Sequence, residues 1–146
     1  ADLLRDDWGV ESDIWSAPSF NELRRDGIDC ERWNLLHPMD EPRVPHVAAC
    51  VSSKPGPVIA ATDYMRIYAD SVRPYIKKTF KVLGTDGFGR SDSRENLRRF
   101  FEVNRFYVTL AALSALADDG VIERKVLAEA IKKYGIDPNK PNPTTV

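Results

Sequence analysis

The sequence predicts a three-layer α/β/α domain with a mostly parallel sheet, and three observations carry that expectation. Val58-Ile59-Ala60-Ala61 and Phe80-Lys81-Val82-Leu83 are short, largely apolar runs bounded by turn residues, as strands buried between helix layers are. A helical pattern separates them, and parallel strands require such a crossover. The first residues, Asp2 to Trp8, place Leu3, Leu4 and Trp8 close to one helical face, and Gly9 then stands as a C-terminal cap.

The elements follow in order. Val10 to Ala17, with Val10, Ile14 and Trp15, reads as a short strand. Ser19 and Glu22 fit a capping box for a short helix stopping near Gly27. Asp29 opens another helix carrying Trp33, Leu35 and Leu36. Pro38, Pro42 and Pro45 make 38–45 a semi-rigid loop. Val47 to Val51 suggests one or two helical turns, and 54–57 a turn. After Val58–Ala61, Thr62 or Asp63 caps a helix over 64–75 whose face is Met65, Ile67, Tyr68 and Val72. Ser91 to Ser93 offer caps for a helix over 94–101. A longer helix runs from Asn104 or Arg105 to Asp119. It is apolar almost all round, so more than one side should be covered. Val126, Leu127, Ala130 and Ile131 form the stripe of a last amphipathic helix. Residues 1–136 read as one domain and 137–146, with Pro138, Pro141 and Pro143, as a tail.

Bulk properties remove several function classes. The chain has 146 residues, 42% of them hydrophobic and 29% charged, which suits one globular domain. Its net charge of −1 offers no basic excess for nucleic acid. No apolar run approaches the roughly 18 residues of a bilayer span, and no apolar leader opens the chain. Cys30 and Cys50 do not form a metal-type pair and read as free thiols of a cytoplasmic protein.

Ligand sites in parallel sheets lie beyond the carboxyl ends of the strands, here near 16–18, 62–63 and 85–86. The segment Gly84, Asp86, Gly87, Phe88, Gly89, Arg90, Ser91, Ser93 and Arg94 is the most unusual. Glycines at a strand-to-helix turn let backbone amides hold an anion, a phosphate or a carboxylate. The same glycines serve equally a tight structural loop in which Phe88 plugs a core or an interface. The spacing matches neither dinucleotide-binding nor P-loop patterns. His37 and His46 stand without metal-ligand spacing, and His37-Pro38 reads as a packed loop histidine. No nucleophile–histidine–acid arrangement is visible. Tyr64, Tyr68 and Tyr75 suggest core or interface packing, and Trp8 and Trp33 suit a domain or subunit interface.

The run Gly84-Thr85-Asp86-Gly87-Phe88-Gly89-Arg90-Ser91, followed by Asn96-Leu97 and Phe101-Glu102-Val103, resembles the last strand-loop-helix of transketolase-like C-terminal domains. The stretches Asp29-Cys30-Glu31-Arg32-Trp33-Asn34, Leu36-His37-Pro38 and Thr62-Asp63-Tyr64-Met65, with the long run from Leu83 to Arg98, are similar to the homodimeric pyruvate dehydrogenase component of bacterial pyruvate dehydrogenase complexes. The likeness extends from about residue 3 to the C-terminus. It implies a parent enzyme that decarboxylates pyruvate on thiamine diphosphate with magnesium and acetylates the lipoyl group of dihydrolipoamide acetyltransferase. It also implies that this region is a structural and assembly domain whose first strand, ahead of the first helix, is missing here. The family's magnesium motif is a G-D-G with an Asn about thirty residues on, supplying hard oxygen ligands. Thr85-Asp86-Gly87 matches it only superficially, and Asn96 and Asn104 fall too early, so no catalytic, cofactor or metal residue carries over.

Three functions compete at this point: an assembly domain of a thiamine-dependent dehydrogenase; a regulatory module that binds an anionic metabolite at the 84–94 turn; and a complete small enzyme using Asp63, Asp86 and His37.

Overall fold

The computed structural model describes all 146 residues. Along the chain run α1 (Asp2–Trp8), α2 (Phe20–Leu36), α3 (His46–Ser52), β1 (Val58–Ala61), α4 (Arg66–Asp70), a 3-10 turn at Arg73–Tyr75, β2 (Phe80–Leu83), α5 (Arg94–Phe100), α6 (Arg105–Asp118) and α7 (Lys125–Lys133). β1 and β2 pair in parallel, with Val58 opposite Phe80 and Ala61 opposite Leu83. The parallel α/β class stands.

The strand pleat sorts the side chains into two cores. Val58, Ala60, Phe80 and Val82 face Phe20, Leu23, Val47, Val72, Tyr75 and Ile76, beneath the layer of α2, α3 and α4. Ile59 faces the other way, toward Leu4, Ala112, Leu113 and Ala130 of α1, α6 and α7. Lys81 shares Ile59's face, and its ammonium donates to Ser114 Oγ at 2.9 Å and Asp118 Oδ2 at 2.6 Å. That hydrogen bond from Lys81 holds the Asp118 carboxyl below the ordinary carboxylate range. Val72, Val103 and Leu113 are fully buried, each contributing about 1.5–3 kcal/mol by leaving water.

Three expectations need correction. Residues 10–17 form no strand; Ile14 is 79% exposed, and the sheet has two strands, neither of which pairs with this segment. A strand unpaired by a neighbour has no ladder to stabilise it.

Residues 20–36 form one helix rather than two, with Ser19 Oγ accepting from Glu22 N at 3.2 Å. Gly27 sits inside it because the Tyr75 ring presses on the helix backbone there, leaving no room for a Cβ.

The helix expected over 64–75 is shorter than read, α4 spanning only Arg66–Asp70. The Tyr64 carbonyl, ahead of the helix, accepts from Thr85 N–H, and turning begins only after Met65. Pro74, whose ring excludes a helical carbonyl four residues back, stops it at Asp70.

The chain's two ends meet at Trp8. Its Nε1 donates to Tyr134 Oη at 2.7 Å, and that hydroxyl donates to Asp7 Oδ2 at 2.9 Å. Lys133 Nζ lies 2.7 Å from the same carboxylate. Within the chain Trp8 thus clamps α1 to the residue that ends α7.

Gly27→Ala gains helix propensity of about 1 kcal/mol but forces the buried Tyr75 ring aside. A net loss of about 1–2 kcal/mol in urea unfolding is expected, and its sign should reverse in a Tyr75→Ala background.

The Lys133 and Tyr134 hydrogen bonds hold Asp7 below its ordinary value of 3.8. A depressed carboxylate stabilises the fold above that value and ceases to do so as pH falls through the lower folded value. The stability of Asp7→Asn should therefore fall less steeply than wild type in acid titrations below pH 3.8, followed by circular dichroism.

Candidate functional site

Parallel pairing brings the carboxyl ends of β1 and β2 to one edge, so residues 62–66 and 84–93 leave the sheet side by side. Their approach requires glycine at 84: a Cβ there would lie 2.7 Å from Tyr64 O and 2.8 Å from Arg66 N. Thr85 N–H then donates to Tyr64 O at 2.9 Å, and Thr85 Oγ1 donates to Asp63 O at 3.0 Å. Asp86 accepts from Arg66 N at 3.3 Å and pairs with Arg66 Nε at 3.4 Å. Gly87 adopts φ of +112°, which L side chains rarely reach, and a Cβ there would lie 2.3 Å from Pro143 O.

Beyond this seam the backbone amides of residues 86–92 donate to no protein acceptor. Order returns at Asp92, whose Oδ1 accepts from Ser93 N at 2.6 Å and Asn96 Nδ2 at 2.8 Å. The Asn96 and Ser93 donors hold its carboxyl below the usual range. Ser93 Oγ caps α5 by accepting from Asn96 N at 3.3 Å.

α5 projects Arg94 and Arg98 toward Asp63, at 3.8 Å and 3.7 Å. Arg98 Nη2 also donates to Val103 O at 3.3 Å, while its Nε is buried without an acceptor. Arg90 lies 4.1 Å from the centre of the Phe100 ring and has no carboxylate partner. Loop and helix enclose a cleft of about 500 Å³ lined in part by Asp63, Gly89, Arg90, Asp92, Arg94 and Arg98. Ser91 and Asn96 line an adjoining hollow of about 280 Å³.

α5 ends in a Schellman arrangement: Val103 N–H returns to Arg98 O at 2.9 Å and Glu102 N–H to Arg99 O at 3.3 Å. Glu102 occupies the left-handed position at φ +62°. Lys140 straps this corner, donating to Phe100 O at 2.7 Å and Glu102 Oε1 at 3.0 Å. The tail thus packs against the loop and α5, with Pro143 buried.

The candidate residues separate accordingly. Arg90, Ser91, Arg94 and Gly89 line the clefts, Ser93 is a cap, and Gly84, Asp86 and Gly87 build the seam. Phe88 plugs no core, being 77% exposed. His37 stacks on Trp33 at 4.4 Å and bonds Trp33 O, so it does not join Asp63 and Asp86 as a catalytic trio would require. Tyr64, Tyr68 and Tyr75 do not share a helix face; Tyr75 is in the core, while Tyr64 precedes α4 and packs on Tyr68 at 4.8 Å.

No three His, Cys, Asp or Glu side chains converge on a metal position, and Asp86 is turned to Arg66. This donor set does not fit a magnesium–diphosphate group, which needs several hard oxygens. Both cysteines are free. The contacts of Lys140 and Pro143 escaped the sequence reading, since nothing local ties a C-terminal segment to a loop about fifty residues away.

Residues 1–104 match the family model described as the transketolase-like TK C-terminal domain. The chain is 64% identical over 146 residues to the pyruvate dehydrogenase E1 component of Cupriavidus necator, covering 100% of this chain and 16% of that protein. It is 62% identical over 144 residues to the corresponding Pseudomonas aeruginosa protein and 55% identical over 144 residues to that of Escherichia coli. In both of these the match covers 98% of this chain and 16% of the relative. The chain therefore spans about one sixth of the length of these relatives.

Gly87→Ala should displace the tail, costing about 1–3 kcal/mol and raising amide hydrogen exchange over residues 142–146. Gly89→Ala, with open space where its Cβ would stand, should leave that exchange unchanged.

Proposed function

The chain belongs to the transketolase-like C-terminal domain family, and from that premise we propose that it is the structural and assembly domain of a pyruvate dehydrogenase. The observation that carries this reading is 64% identity over all 146 residues to a pyruvate dehydrogenase E1 component. In this proposal the whole protein decarboxylates pyruvate on thiamine diphosphate with magnesium. It then acetylates the lipoyl group of a dihydrolipoamide acetyltransferase. It works as a homodimer in the cytoplasm, with neither nucleic acid nor membrane as partner. Residues 1–136 are one domain of it and 137–146 the tail.

The geometry supports a scaffold more than a reactive centre. The acidic, histidine and cysteine side chains are dispersed. No helix is long and apolar enough to cross a membrane. Large apolar side chains stand exposed beside the carboxyl ends of the strands: Tyr64 at 58%, Ile67 at 64% and Phe88 at 77%. Tyr64 and Arg66 are bonded to Thr85 and Asp86, so Tyr64 is held at the seam, with Phe88 on the loop that leaves it. An apolar face of this kind suits contact with the rest of the parent polypeptide or with a second copy.

Titrating the chain with thiamine diphosphate and magnesium should release no heat of binding; micromolar affinity would place a cofactor site here and overturn the scaffold reading. Phe88→Ser and Ile67→Ser should leave the chain's unfolding free energy within about 0.5 kcal/mol of wild type, yet weaken dimer association in the parent enzyme, measured by sedimentation.

A further inference from the structure

We propose that the cleft between residues 85–93 and α5 binds the phosphoryl group of a small soluble metabolite. The cleft has more hydrogen-bond donors than acceptors. Arg90 is held against Phe100 with no carboxylate partner, so its guanidinium edge is uncommitted. Arg94 and Arg98 share one carboxylate, Asp63, at 3.8 Å and 3.7 Å, both beyond hydrogen-bond length. Arg98 Nε is buried with no acceptor, so the protein leaves this guanidinium incompletely satisfied. The amides of residues 86–92 likewise donate to nothing in the protein.

Three guanidinium groups around one hollow favour an anion with three or four oxygens over a planar carboxylate, which one guanidinium fork satisfies. The opposing charges are limited. Asp86 is paired with Arg66, while Asp92, its Oδ1 held by Ser93 N and Asn96 Nδ2, keeps its charge at the cleft's edge but pairs with none of the three arginines. Asp63 is the only acidic group bridging to the cleft arginines, and it holds the place that a phosphoryl oxygen would take. The volume of about 500 Å³ exceeds that of a phosphate alone and leaves room for an attached small organic group. The site is separable from the scaffold reading, since its side chains are not those of the exposed Tyr64, Ile67 and Phe88.

Calorimetry of the 146-residue chain with inorganic phosphate, at constant ionic strength, tests the site directly. Saturable binding near the millimolar range is expected. Arg90→Gln and Arg94→Gln should each weaken it by about tenfold, corresponding to about 1.4 kcal/mol. Asp63→Asn should strengthen it by removing the competing carboxylate, a change of sign that general unfolding would not produce. Arg99→Gln removes the same charge from α5 outside the cleft and should have no effect. Amide shifts confined to residues 86–92 in the phosphate titration would add a readout independent of heat. The proposal is overturned by the absence of saturable binding, by equal losses in Arg94→Gln and Arg99→Gln, or by tighter binding of citrate than of phosphate.

Discussion

Parallel pairing of two four-residue strands is the constraint on which the rest of this molecule depends. With the strands side by side and pointing the same way, the pleat divides the side chains between two helix layers. It also delivers both carboxyl ends to one edge, where Gly84 permits backbone to touch backbone. Every feature of the loop and cleft follows from that seam. Without it Asp63 would not face Arg94 and Arg98, and the tail would have no surface to pack on.

Long-range polar contacts then lock elements that apolar burial alone would leave free to slide. Lys81 fixes α6 over the sheet through Ser114 and Asp118. Trp8, Tyr134, Asp7 and Lys133 join the first helix to the last. Lys140 joins the tail to the strained corner at Glu102, where a non-glycine residue holds a left-handed conformation because the Schellman bonds and buried Val103 determine it. In the cleft the opposite holds. Donors there exceed acceptors, and the one bridging carboxylate is shared between two arginines.

Local signals were legible where local physics decides the outcome. The caps at Ser19, Ser93 and Asn104, the glycine ending α1 and the two strands were all readable, because each depends on residues within a turn of one another. The family was legible too, since the 83–98 run is long and specific and its relatives match over nearly the whole chain. The misreadings share one cause. Gly27 looks like a stop until the Tyr75 ring is placed against it, and Val10–Ala17 looks like a strand until no neighbour is found for it. Phe88 looks like a plug until its side chain is found in solvent.

The sequence by itself determined the family, through runs of residues that resemble its members, and the parallel α/β class and most helix ends, because these last two rest on capping and short-range periodicity. Only the tertiary structure decided which polar groups meet. Asp63 with Arg98, Asp7 with Tyr134 and Gly87 with Pro143 are brought together by chain crossings that no local pattern encodes. Nor could the sequence distinguish committed donors from free ones along residues 84–94. Whether an amide or guanidinium is satisfied depends on acceptors that only packing brings into range.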